Sequence, residues 1–265
     1  MNLTSGLISA FYRMAIASVI LFPIALYKGK LGLKNFKLMF LTAVCGVLFA
    51  SDIAVWNISI QHSSATQATL LTNLSPIWVG VFSFVFLNYR PRKSFWLGTC
   101  IALLGMMVFV GIDTIVEMNL DAAFFLGMLS GLLYALYILV SKKVLEKVEV
   151  ITFITYSMIF STVFLFFVNL AFGEDFVGFS NEAWISLLVQ GIVCQLIAWL
   201  LISYATQNMR ATRVSLSLLS QAIFATILAA VFIGEKITPV QMLGSIIILA
   251  GIATTFYEKT KPETV

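Results

Sequence analysis

Charged residues are scarce in this chain. Only 11% of its 265 residues are Asp, Glu, Lys or Arg, whereas 60% are hydrophobic. A soluble globule of this length needs far more polar surface, so the composition excludes an ordinary soluble domain. Apolar runs of about 20 residues cross a bilayer as helices, and such runs fill most of the chain. The composition therefore predicts an all-α, polytopic membrane helix bundle.

Residues that carry catalytic chemistry are also few. The one histidine, His62, allows neither a Ser-His-Asp triad nor a histidine metal site. HExxH, GxSxG, GxGxxG and Walker-type patterns do not occur. The three cysteines, Cys45, Cys100 and Cys194, stand far apart inside apolar runs, which predicts buried, unpaired thiols. We expect no enzyme, no cofactor and no metal.

Nine apolar runs predict nine transmembrane helices. Their expected ranges are about 6–27, 38–60, 66–88, 95–112, 122–140, 151–172, 183–205, 214–233 and 239–257. Thr238 is expected to cap the last helix, with Pro239 at its first position, where no backbone hydrogen bond is lost.

The basic residues occupy alternate loops. Fourteen of the 16 lie on one side: Lys28, Lys30, Lys34, Lys37, Arg90, Arg92, Lys93, Lys142, Lys143, Lys147, Arg210, Arg213, Lys259 and Lys261. Lysine and arginine accumulate in cytoplasmic loops, so this distribution predicts a cytoplasmic C-terminus in a plasma (bacterial inner) membrane. It also makes nucleic acid an unexpected partner, because the basic residues have the role of orienting the helices.

One stretch of the chain occurs twice. Residues 65–105 align with 211–251 at an offset of 146, so Leu70 meets Leu216, and Gly98 and Gly105 meet Gly244 and Gly251. Because the two copies would cross the membrane in opposite directions, they indicate an inverted-topology repeat, which is typical of secondary transporters. We expect a first repeat at 1–117 with four helices and a second at 118–265 with five.

The second repeat therefore has one helix more than the first. The fifth predicted helix, at about 122–140, has no counterpart upstream. We interpret the chain as an inverted 5+5 repeat that lacks its first helix, and we expect a longer reading frame to encode that helix before Met1. The alternative is a true nine-helix protein.

Several local patterns resemble the EamA family of the drug/metabolite transporter superfamily. They are Leu74-Ser75-Pro76 in the first repeat, the turn Gly234-Glu235-Lys236 in the second, and the glycine- and tyrosine-containing stretch 127–137 followed by Lys142-Lys143. The chain departs from the family at Tyr89-Arg90, which replaces Glu-Arg, and at Gln221-Ala222, which replaces a second proline. The resemblance implies a helix bundle around a central cavity that exports amino acids or other small metabolites.

Asp52 is the only acidic residue inside a predicted helix. An isolated carboxylate at membrane depth costs at least ~2.5 kcal/mol, so it should meet a partner or a wet cavity. Trp56 lies one helical turn further on the same face. The functional interpretation is a site for a substrate amine or a proton. The alternative is a structural hydrogen bond, or an ion pair with Arg13, the only basic residue well inside a helix.

Further candidates for the cavity wall follow from the repeat and from position. Gln195 and Trp199 repeat the spacing of Asp52 and Trp56 in the second half, and Asn73 and Gln221 stand at equivalent depths. Tyr134 and Tyr137 lie in the middle of the fifth helix, where they could stack on a substrate. Pro76 predicts a kink, and therefore a candidate hinge. Packing is the alternative explanation for each of these residues.

The sequence therefore predicts a secondary transporter of small metabolites, acting as an exporter by alternating access between the two repeats. Its partners would be a small-molecule substrate, the lipid bilayer and, as a candidate coupling ion, the proton. Two alternatives stay open: an importer or exchanger of another polar solute, and a membrane scaffold or sensor that transports nothing.

Overall fold

A computed structural model describes residues 4–87, 90–116, 118–232 and 234–257. Within these ranges every regular element is helical, and nine helices are long and apolar enough to cross a membrane. The predicted all-α membrane bundle is confirmed. The predicted helix ends at 88 and 233, together with Tyr89, Lys259 and Lys261, lie outside the described residues.

The spanning helices are numbered here in chain order. They are α1 (Gly6–Tyr27), α2 (Phe36–His62), α3 (Ala65–Phe86), α4 (Lys93–Val110), α5 (Ala122–Leu145), α6 (Val150–Phe172), α7 (Asn181–Asn208), α8 (Ala211–Phe232) and α9 (Pro239–Phe256). A short helix, Ile112–Val116, lies between α4 and α5.

Polar side chains fix where several helices begin. At α5 the Asp121 carboxylate accepts a hydrogen bond from the Phe124 amide at 3.0 Å. At α9 the Thr238 hydroxyl accepts from the Gln241 amide at 3.2 Å, and the Gln241 side chain accepts from the Thr238 amide at 2.9 Å. This reciprocal capping satisfies amides that a helix start leaves unpaired. The predicted start of α9 at Thr238 and Pro239 is confirmed.

The bundle contains two hydrophobic cores. The larger one joins α1, α2, α5, α6 and part of α7 around fully buried residues such as Phe49, Phe153 and Met158. The smaller one joins α4 and α9 to the first halves of α3 and α8, around Met106 and Ile248. Much of the outer surface is apolar as well, as lipid-facing helices require.

Glycines allow α4 and α9 to cross in close contact. A Cβ built on Gly98 would lie 2.5 Å from the Gly251 carbonyl oxygen, and one on Gly105 would lie 2.6 Å from the Ile248 amide nitrogen. The contacts run in opposite chain directions, since Gly98 meets the later residue of α9 and Gly105 the earlier one. The two matched helices of the repeat are therefore antiparallel at this crossing, with small residues permitting backbone contact.

The other matched pair, α3 and α8, breaks at equivalent positions. Helix α3 is interrupted at residues 73–74, between Ala65–Thr72 and Ser75–Phe86, and α8 passes through a 3₁₀ turn at Leu218–Ser220. Pro76 stands at the start of the second segment of α3, where its missing amide leaves the Thr72 carbonyl without its usual partner. That carbonyl lies 3.0 Å from a Cβ built on Gly131 of α5, so it faces protein. Because α8 breaks without a proline, the break does not depend on proline alone.

Three details differ from the sequence predictions. Helix α5 extends to Leu145, so Lys142 is helical rather than part of a loop, and its ammonium group donates to the Gln207 carbonyl oxygen at 3.0 Å. Helix α7 contains a π-helical segment, Gln190–Ile197, which the apolar pattern did not indicate. Cys100 and Cys194 are exposed, and only Cys45 is buried, so the prediction of three buried thiols is wrong for two of them.

Candidate functional site

A cavity of about 290 Å³ lies between helices contributed by both predicted repeats. Its wall is formed by Arg13 of α1; Phe49, Asp52, Ile53 and Trp56 of α2; Thr69, Thr72 and Asn73 of α3; Tyr134 of α5; Cys194, Ala198, Trp199 and Ile202 of α7; and Gln221 of α8. Six of the eight predicted cavity residues are in this wall: Asp52, Trp56, Asn73, Tyr134, Trp199 and Gln221.

Asp52 is held in the wall by a chain of hydroxyl groups. Its side chain is buried, with 6% exposure, and its Oδ1 accepts a hydrogen bond from Ser130 Oγ at 2.6 Å. Ser130 Oγ also lies 2.8 Å from Thr72 Oγ1. The side chain of Asp52 on α2 is thereby tied to α5 and α3. The structure shows that Asp52 makes a structural hydrogen bond and lines the cavity at the same time.

Arg13 brings a positive charge to the same cavity. Its Nη2 donates to Gln195 Oε1 at 3.2 Å, which links α1 to the π-helical segment of α7. Its Nε is buried and has no hydrogen-bond partner among the described residues. The alternative of an Asp52–Arg13 ion pair is wrong, because in the described part of the chain the only side-chain ion pair joins Lys30 to Glu149.

Aromatic side chains form another part of the wall. The Trp199 ring lies 4.2 Å from Phe49 and 6.2 Å from Tyr134, measured between centroids, and both contacts are edge-on. Tyr137 stacks on Phe49 at 5.0 Å. Faces of such rings attract cations and pack on apolar groups. The wall can therefore contact both the apolar part of a solute and its ammonium group.

Two predicted cavity residues lie behind the wall. Tyr137 has 2% exposure and supports Phe49 and Trp199 from the core. Gln195 is fully buried, because its amide is used on both sides: Oε1 accepts from Arg13, and Nε2 donates to Met158 Sδ at 3.3 Å. Neither Tyr137 nor Gln195 lines the cavity as predicted. Gln195 instead holds the wall residue Arg13 through a hydrogen bond.

The two helix breaks meet at the cavity. Gln221 Nε2, which follows the 3₁₀ turn of α8, donates to Asn73 Oδ1 at the break of α3, over 3.2 Å. The side chains that the repeat placed at equivalent depths are therefore bonded to each other. This contact joins the two predicted repeats across the cavity wall.

Sequence reasoning missed several wall residues. The prediction for Arg13 is limited to an ion pair with Asp52, although a lone basic residue inside a membrane span is itself a signal of function. Thr69 and Thr72 of the wall, and Ser130 behind it, gave no signal, because hydroxyl side chains commonly bond their own helix backbone in membranes. Cys194 enters the wall within the π-helical segment, a feature that frequently marks functional sites but that periodicity does not predict.

A match to a protein family identifies the class of protein to which this cavity belongs. The chain matches the EamA-like transporter family over residues 2–111 and 121–257. It belongs to that family. This EamA-like chain is therefore a multi-pass membrane transporter for a small-molecule substrate, and not an enzyme.

Individual relatives of this EamA-like transporter are distant. It is 26% identical to the uncharacterized transporter YdfC of Bacillus subtilis over 262 residues, covering 95% of this chain and 82% of that protein. It is 25% identical to an S-adenosylmethionine uptake transporter of Rickettsia felis over 154 residues, 58% of this chain and 51% of that protein. A solved crystal structure superimposes with a TM-score of 0.80 at 15% identity, covering 97% of this chain and 88% of the other, which shows the fold.

Proposed function

We propose that this chain is a secondary transporter that exports a small metabolite, an amino acid or a related compound, by alternating access. Residues 1–117 and 118–265 would act as the two repeats that move against each other. The observation that carries this proposal is the cavity, because helices of both segments build its wall around one buried carboxylate. Sites at the interface of inverted repeats are typical of secondary transporters.

The size and chemistry of the cavity support a small solute. About 290 Å³ is at the lower end of the range for ligand pockets, which is roughly 300–1,000 Å³. Its wall combines aromatic rings with the side chains of Asp52, Asn73 and Gln221. Such a mixture of apolar surface and few polar groups fixes the orientation of a bound metabolite.

The distribution of basic residues supports one orientation of the chain in the inner membrane. In the orientation we propose, the C-terminus is cytoplasmic, and Lys30 and Lys142 lie at the cytoplasmic ends of the bundle. Export is movement away from that side.

Protons are the coupling ion we propose, with Asp52 as their binding site, because it is the acidic side chain of the cavity wall.

Uptake is the second candidate. The Rickettsia relative named an S-adenosylmethionine uptake transporter favours import of a solute with an amino-acid group and a cationic centre. The aromatic wall beside Asp52 would suit such a solute equally well.

Flux through purified protein in liposomes tests the proposed function. We expect counterflow of at least one labelled amino acid or related metabolite, and accelerated efflux when a pH gradient is applied. Loaded vesicles in both protein orientations separate export from uptake. No flux of any tested solute, with folded protein in the membrane, would favour a scaffold or sensor instead.

A further inference from the structure

The cavity wall carries one side chain of each charge, and they are held apart. Arg13 is bonded to Gln195 of α7, whereas Asp52 is bonded to Ser130 of α5. Both line the same cavity, but the described residues contain no ion pair between them. Two opposite charges at membrane depth would gain from pairing directly. The fold instead anchors each one to a different helix.

Each charged group keeps unused hydrogen-bonding capacity. The guanidinium of Arg13 has five N–H donors, and the structure pairs only Nη2, leaving even the buried Nε without a partner in the described chain. Asp52 accepts one bond, at Oδ1. An ionised carboxylate accepts several bonds through its two oxygens. A ligand can therefore add contacts at both ends.

We propose that Arg13 is a substrate-binding residue that recognises an anionic group, so that the cavity selects dipolar solutes. This inference rests on the proposed function and names the chemistry of its substrate. A carboxylate of the solute pairs with Arg13, and an ammonium group pairs with Asp52 beside the rings of Trp56 and Tyr134. Planar guanidinium groups suit carboxylates particularly well, because they offer parallel N–H donors.

A dipolar solute would also lower the free-energy cost of keeping two unpaired charges in the cavity wall. It neutralises both charges at once and itself carries no net charge through the membrane. A singly charged cation would leave Arg13 without a counterion, and a singly charged anion would do the same to Asp52. Unpaired buried charge is the expensive state, so both analogues should bind more weakly.

The experiment compares solutes that differ by one charge. Wild-type protein in liposomes is tested for counterflow with each of the twenty protein amino acids, with a set of organic cations and with a set of monocarboxylates. For each transported amino acid, the amide lacks the carboxylate and the deaminated acid lacks the ammonium group. We expect the zwitterion to be preferred over both analogues by at least about thirtyfold.

Three outcomes are distinguishable. Preference for the zwitterion supports the inference. Equal or better transport of cations or monocarboxylates overturns it, while the proposed function stands. No flux of any solute contradicts the proposed function, and the inference falls with it.

Variants test the role of Arg13 itself. Arg13→Gln should lower zwitterion transport at least about thirtyfold, raising KM, while the amide analogue is transported no worse than before. Arg13→Lys should restore part of the zwitterion transport. The matched control is Ser9→Ala, one turn earlier on α1, which removes a 3.2 Å bond from Ser9 Oγ to Gln190 of α7 outside the cavity. An equal loss for zwitterion and amide in Arg13→Gln would show a structural role and overturn the inference.

Discussion

Hydroxyl groups make the burial of Asp52 possible. Without partners the carboxylate would cost several kcal/mol in this apolar bundle, but Ser130 donates to it at 2.6 Å and Thr72 lies within hydrogen-bond distance of Ser130. The second carboxylate oxygen keeps acceptor sites for a solute or a proton. One residue therefore joins three helices and supplies the acidic group of the cavity.

Replacing Asp52 is the first test at this scale. Asp52→Asn keeps the side-chain volume and an oxygen for Ser130, but it removes the negative charge. We expect transport to fall below about a tenth of wild type, with expression and melting temperature nearly unchanged. The control is Ser59→Ala, two turns later on α2, which removes a 2.8 Å bond to the Ala123 carbonyl of α5 without touching the cavity. Unchanged transport in Asp52→Asn would contradict a role in coupling or binding.

Individual wall residues were predictable only where the residue type was unusual for a membrane helix. Asp52 stood out as an acid, and Trp56 followed from helical spacing. Gln195 stood out as well, but its position behind Arg13 depends on which rotamer packs against Met158, and spacing does not determine that. Ser130 resembled any small residue of a helix contact, so its bond to Asp52 required the structure.

At the scale of helices, the crossing of α4 and α9 depends on missing side chains. A Cβ on Gly98 would also meet the Thr254 hydroxyl, and one on Gly251 would lie 2.5 Å from the Ala102 amide nitrogen. These neighbours are largely backbone, which cannot move aside without shifting a helix. The two glycines therefore set the distance between the helices.

Alanine at these positions should push the helices apart. We expect Gly98→Ala and Gly251→Ala each to destabilise the protein by roughly 1–3 kcal/mol, which thermal unfolding in detergent measures as a lower melting temperature. Gly32→Ala is the control, because a Cβ there meets nothing within 4 Å. Equal melting temperatures for all three variants would show that the crossing tolerates added volume.

The hinge assigned to Pro76 stays a prediction and has its own test. Pro76→Ala restores an amide that can bond the Thr72 carbonyl, which favours a straighter α3. We expect the transport rate to fall severalfold while the affinity for the solute changes little. Pro23→Ala, an exposed proline inside α1 and away from the cavity, is the control. A rate equal to wild type in Pro76→Ala would remove the hinge role.

Helices were largely predictable, because nine apolar runs of sufficient length have one explanation in a bilayer. The helix ends were less predictable. Helix α5 continues through Lys142, whose ammonium group reaches the Gln207 carbonyl near the end of α7. The π-helical segment of α7 contains a close helix contact, since a Cβ on Gly191 would lie 2.8 Å from Ile16 of α1. Apolar periodicity does not contain such contacts.

For the whole molecule, the repeat matters more than any single motif. Matched helices α4 and α9 cross antiparallel, matched helices α3 and α8 break at equivalent positions, and Asn73 and Gln221 bond across the break. The fold and the family followed from the sequence, but the cavity between the two segments required the three-dimensional contacts. We infer that this cavity is the transport site and that it opens to each side of the membrane in turn.

A native cysteine allows the most direct test of that claim. Cys194 is in the cavity wall, Cys100 is exposed on α4, and Cys45 is buried. In a Cys100→Ser variant, a membrane-impermeant thiol reagent should therefore report on Cys194 alone. Labelling from each side of oriented vesicles is measured with and without the solute that supports counterflow. We predict that the solute slows labelling at concentrations near its KM, and that a gradient shifts the side from which Cys194 reacts. Labelling that no transported solute changes would contradict the cavity as the transport site.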